Sequence, residues 1–180
     1  MPTDVPTEVK ESLAMDLDAS TEPGPPASTR ELVAAHLRSR QLRFVESPDG
    51  TIVVAFHDAD RRPLFEVMFA AGAWAGSGLG AVARSGRTID RSEWPASLAA
   101  CNGWNRRVRL PKARLEAADW NADRSGEVLL EAWMPIGDHP DDGAIAQFVD
   151  GTIVGGTQFW SASTTDATST TSLTDTETSG

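Results

Sequence analysis

Apolar residues recur along this chain with two periods, and the switches between them mark out its elements. Helical spacing appears first after Ser28. Leu32, Val33, His36 and Leu37 share one side, and Ser28 with Glu31 three residues on has the spacing of a capping box. A helix from Ser28 to about Gln41 is predicted. The period then shortens. Arg43 to Glu46 is a short strand, Ser47 to Gly50 a turn, and Thr51 to His57 a β-branched strand. Asp58 to Pro63 is the next turn and Leu64 to Ala70 the third strand. The glycine-rich residues 71–88 predict a flexible hairpin with a strand from Leu79 to Arg84.

Helical spacing returns in the stretch from Thr88 to Glu93, with Asp90 as cap, Glu93 three residues on and Pro95 tolerated in the first turn. Trp94, Leu98, Cys101, Asn102 and Asn105 form its predicted inner stripe. Pro111 cannot continue this helix and holds Leu110 extended, so the chain turns a corner between about Asn105 and Leu110. The helix carbonyls freed there need donors, which Asn102, Asn105, Arg106, Arg107 and Arg109 are suited to supply. Pro111 to Ala118 and Gly126 to Met134 predict a hairpin around a polar turn, with Val128, Leu130 and Ala132 on one side. The last helix opens after 137–143. Ile145, Phe148, Val149, Thr152, Ile153, Gly156, Phe159 and Trp160 recur in it at helical spacing. Gly151, Gly155 and Gly156 weaken it by up to ~1 kcal/mol each against alanine, and they read as permitting close approach to a partner surface.

Both ends lack such a pattern. Residues 1–27 read as a disordered acidic tail, within which Val9 to Leu17 could form a partner-induced helix, and 163–180 as a disordered Ser/Thr-rich tail. Between them, 28–162 reads as one α+β domain: a helix, three to four strands, a helix, two strands and a helix, with an antiparallel sheet packed against the helices.

Composition narrows the function classes. The chain has 180 residues and a net charge of −10. Residues 1–27 contribute −5 and residues 161–180 contribute −3, so the middle is nearly balanced. A nucleic-acid protein needs a basic face, and Arg106, Arg107 and Arg109 are too few to supply one against this total. No apolar run approaches the ~18–20 residues of a membrane span, and the amino terminus lacks the apolar stretch of a secretory signal. A single cysteine, Cys101, permits no internal disulfide. A cytoplasmic protein is expected.

Candidate chemistry is sparse. His57 with Asp58 and Asp60, and Asp138, His139, Asp141 and Asp142, are two acidic histidine clusters that could suggest a metal or small-ligand site. Acids are ordinary at hairpin turns and favoured at helix N-termini, and those readings are preferred. Gly76, Gly78 and Gly80 have no helix after them to make a phosphate loop. Cys101 has no histidine near it in sequence and reads as a small buried hydrophobe. No catalytic group, cofactor or metal is expected. Six tryptophans and no tyrosine leave large aromatic surfaces, and Trp104 and Trp160 are the chosen anchors for an exposed apolar patch, with Phe148, Ile153 and Phe159 beside them, although plain core packing is the reading favoured for each tryptophan.

The order of elements, the run Cys101-Asn102-Gly103-Trp104-Asn105, Arg106-Arg107, Leu110-Pro111-Lys112-Ala113 and the terminal Phe159-Trp160 together resemble the YbjN family, in particular its actinobacterial members. The resemblance spans about residues 28–162. The glycine-rich stretch at 72–80 departs from the more regular strand of that family. It implies a fold similar to the type III secretion chaperone class, often dimeric, in bacterial regulators or chaperone-like adaptors without enzymatic activity. Asn102, Trp104, Asn105, Pro111 and Lys112 match as signature positions of the corner. The resulting reading is a non-catalytic protein-binding module acting through an apolar face, with an unidentified protein or a second copy as partner. A small-ligand or metal-binding domain built on His57 or His139 is the alternative.

Overall fold

The computed structural model describes residues 28–72, 78–137 and 141–170, with side chains as far as Ser161. Helix α1 (Thr29–Ser39) starts where its cap dictates. The Ser28 hydroxyl accepts from the Glu31 N–H at 3.3 Å, and the Glu31 carboxylate accepts from the Ser28 N–H at 2.7 Å. The Ser28 N–H and, secondarily, the Ser28 hydroxyl both donate to this carboxylate, favour its ionised form and hold the Glu31 pKa below its usual range. Four strands follow: β1 (Val45–Glu46), β2 (Ile52–His57), β3 (Pro63–Ala71) and β4 (Gly78–Asp90). A 3-10 turn (Arg91–Glu93) leads into α2 (Trp94–Arg107), then β5 (Lys112–Glu116), β6 (Ser125–Pro135) and α3 (Asp142–Thr170). The six strands form one antiparallel sheet in the order β1-β2-β3-β4-β6-β5. The first two hairpin turns are set locally: Gly50 takes a φ of +84°, and Asp58 accepts from the N–H groups of Asp60 and Arg62.

Two boundaries differ from the pattern-based expectation. The strand predicted to end at Arg84 runs to Asp90, and no helix begins at Thr88. A bulge explains this. Pairing with β6 shifts between Arg84 and Thr88, where Gly86 adopts a φ of +67° and donates to the Glu127 carboxylate at 2.9 Å. The kinked strand then resumes. Asp90 and Glu93 do form a capping box, but around the 3-10 turn, and Pro95 lies in the first turn of α2. At the other end, α3 continues past Ser161 to Thr170, a stretch with no glycine or proline to stop it.

All three helices cover the same face of the sheet. Val33 and Leu37 of α1, Trp94, Cys101 and Trp104 of α2, and Ile145, Val149 and Phe159 of α3 join one core with Ile52, Val54, Phe65, Val67, Phe69, Leu79 and Leu130. Helix α2 packs on β5, at the edge of the sheet, so only a narrow seam of it is covered. Its inner seam is therefore Trp94, Cys101 and Trp104, while Leu98 and Asn102, expected inside, are exposed.

Of the α3 glycines, Gly155 and Gly156 make a close approach within the fold, while Gly151 faces open space. A Cβ on Gly155 would lie 2.6 Å from Pro111 Cδ, and one on Gly156 would lie 2.6 Å from Phe65 Cε2. These bare positions let α3 sit against the corner after α2 and against the sheet.

Candidate functional site

The corner between α2 and β5 is held by three side chains. The Trp104 indole N–H donates to the Pro111 carbonyl at 2.8 Å. Asn105 uses both halves of its amide on one residue: its Nδ2 donates to the Ala113 carbonyl at 2.9 Å and its Oδ1 accepts from the Ala113 N–H at 2.8 Å. Because β5 is an edge strand, Asn105 does for Ala113 what a neighbouring strand would do. The freed carbonyls of α2 are served from the strand beyond. Lys112 Nζ donates to the carbonyls of Asn105 at 3.0 Å and Val108 at 2.9 Å. Among the described residues Lys112, and none of Asn102, Arg106, Arg107 or Arg109, donates to these carbonyls, so that expectation is corrected. A donor returning on the next strand was not visible from local spacing. Pro111 follows a cis peptide bond and is buried.

Trp104 and Phe159 belong to the interior, at 6% and 7% exposure. Their rings meet edge to face at 5.4 Å, and Phe159 meets Trp160 the same way at 5.5 Å. Trp160 then stacks on Phe65, which stacks on Phe56. The reading of Trp104 as a surface anchor is corrected: its size and its indole donor are both used by the corner. Trp160 is half-buried, and with Phe159 it lines a groove of about 380 Å³ between α2 and the β4–β6 pair. Phe148 and Ile153 are partly buried against the core.

An exposed apolar strip lies elsewhere. Leu110 is 51% and Trp133 47% exposed. They stand between two clefts of about 400 Å³ and 410 Å³. The first opens on the uncovered sheet face beside Gly80 and Val82. The second runs between the end of β6 and α3, where Phe148 and Gln147 line it. Gly78 and Gly80 of β4 provide a bare floor for the Trp133 indole, which occupies the space a Cβ on Gly78 would need. Strand alternation carried the signal that finds Trp133. If Val128, Leu130 and Ala132 face the core, Trp133 cannot, and a tryptophan on the other face requires a reason.

Among the described residues the groups considered for chemistry do not converge. Cys101 is buried, and burial raises its thiol pKa, the opposite of what a nucleophile needs. His36 Nε2 lies 3.0 Å from Asp150 Oδ1 and ties α1 to α3. His57 is exposed at the end of β2. Asp138 and His139 lie outside the described residues, whereas Asp141 caps α3, accepting from the N–H groups of Gly143 and Ala144. Among the described residues no group of three His, Cys, Asp or Glu side chains could hold a metal ion, and no helix is long and apolar enough to cross a membrane.

An antiparallel six-stranded sheet carrying three helices on one face defines an α+β domain of two layers. The same fold occurs in the crystal structure of YbjN from E. coli, described there as a candidate transcription regulator. It superposes with a TM-score of 0.54 over 78% of this chain and 94% of that one, at 11% identity. The chain thus has a YbjN-like fold. No family model matches the sequence, and no curated protein matches it significantly.

Proposed function

We propose that this chain is a non-catalytic, regulatory protein-binding module of the YbjN type, chaperone-like in using an apolar strip to hold a partner. The actinobacterial branch of that family is our reading of the corner motif. The strip is Leu110, Trp133 and Phe148, and its occupant is an apolar segment of a cytoplasmic protein or of a second copy in a homodimer. One observation carries this reading: two large apolar side chains, each about half exposed, flank two adjoining clefts. Desolvating a tryptophan and a leucine in such clefts is the usual source of affinity at protein interfaces. The likeness to YbjN supports a regulatory module through the fold alone.

The test places a photo-crosslinking residue at Gln147, on the cleft wall, in cells. Adducts to a protein, or to a second copy, are expected, and Leu110→Asp should abolish them without unfolding the domain. Failure to form any protein adduct, or adducts indifferent to Leu110→Asp, would remove the proposal.

A further inference from the structure

We propose that the acidic, apolar segment of this chain's own amino terminus, residues 8–18, docks on the groove beside β1 and β2. This inference concerns a different surface from the Leu110–Trp133 strip. The groove has a volume of about 560 Å³ and lies at the open edge of the sheet. Its apolar floor includes Phe44, Val45 and Val53, and its charged or titratable lining is Arg43, Arg61 and His57, with no carboxylate among the lining residues. Arg43 and Arg61 make no ion pair among the described residues. Val45 is 68% exposed on a strand of only two residues. So short an edge strand offers few backbone groups to another chain, and what it leaves uncovered is apolar side-chain surface.

The segment that fits is already attached. Twenty-seven residues precede Ser28, with six acids and one base. Within them Val9, Leu13 and Leu17 are four apart, the spacing of one helical side, and Glu8, Glu11, Asp16 and Asp18 lie between and beside them. The segment therefore opposes the groove in charge and matches it in apolar surface. It also enters the fold beside the β1 edge, although α1 covers the opposite sheet face, so the linker passes around β1 to reach the groove. Ser28 caps α1, and the Arg30 side chain next to it lies against the β1–β2 turn, 3.6 Å from where a Cβ on Gly50 would be. The ten residues from 18 to 28 span up to ~33 Å extended, and a tether of this length gives an effective concentration on the order of millimolar. Weak contacts then suffice. The Leu110–Trp133 clefts compete poorly for this segment, because their lining includes Glu131 and no cation.

The test uses the full chain with a nitroxide on Ser12→Cys and Cys101→Ala behind it. Amide signals of Val45, Val53 and Ala55 should be lost in the oxidised protein and return on reduction of the nitroxide. The loss should weaken as salt rises, and Arg43→Glu with Arg61→Glu should abolish it while the remaining spectrum stays folded. Signals that persist, or that are lost equally in the charge-reversed variant, would overturn the proposal. So would broadening seen only between a tagged unlabelled chain and an untagged labelled one, which would mean docking on a second copy.

Discussion

Asn105 shows how one side chain can fix both a corner and a strand edge. Its two bonds to Ala113 leave neither the N–H nor the carbonyl of that residue without a partner on its outer side. Asn105→Ala strips both at once in a half-buried setting, so the fold should lose ~1–3 kcal/mol, measured by chemical denaturation. Asn105→Asp keeps the acceptor and loses the donor, placing a carboxylate against the Ala113 carbonyl, and should rescue little. An unchanged denaturation midpoint for Asn105→Ala would show that water replaces the amide. The sequence announced that something must happen at this corner, because Pro111 ends any helix before it. It did not announce that Lys112, rather than the arginines, would serve the helix carbonyls, since that depends on the path the chain takes after the turn.

At the scale of elements, α3 and β4 are the instructive cases. Helix α3 carries three glycines that look equivalent in sequence and are not equivalent in space. Gly156 has Phe65 within 2.6 Å of its absent Cβ, whereas Gly151 has nothing within 4 Å. Gly156→Ala should therefore destabilise by ~1–3 kcal/mol through overpacking. Gly151→Ala should stabilise by up to ~1 kcal/mol through helix propensity. Thermal unfolding of the two variants, shifting in opposite directions, checks both. Strand β4 was legible only as far as Arg84. Its second half continues through a glycine bulge, and a glycine at that spacing reads locally as a turn. The capping boxes at Ser28 and Asp90, by contrast, were fully legible, because every atom they need lies within four residues.

Among the described residues the molecule is two layers with one side left open. Helices cover one sheet face, and the other presents Arg84 paired with Glu66 at 2.6 Å and Arg114 paired with both Glu116 and Glu131 at 2.8 Å. Such half-exposed pairs add little stability, but they keep a bare sheet hydrated. Trp133 and Leu110 interrupt that polar surface, and neither contributes much to the core. The double variant Leu110→Ala, Trp133→Ala should keep its stability within roughly 0.5 kcal/mol, the range for surface changes, while losing the Gln147 adducts. A large drop in melting temperature would instead make the strip structural. The core and the helix order were legible from periodicity. The strip was not, because a pattern of apolar positions marks what is buried and says little about which large residue stays outside.

The seat that Pro111 and Phe65 make for α3 has an evolutionary corollary. Kin of this chain that acquire a side chain at position 155 must give up ring volume at 111, and those that fill 156 must trim 65. The two pairs should thus drift in step across any lineage that keeps this helix where it is.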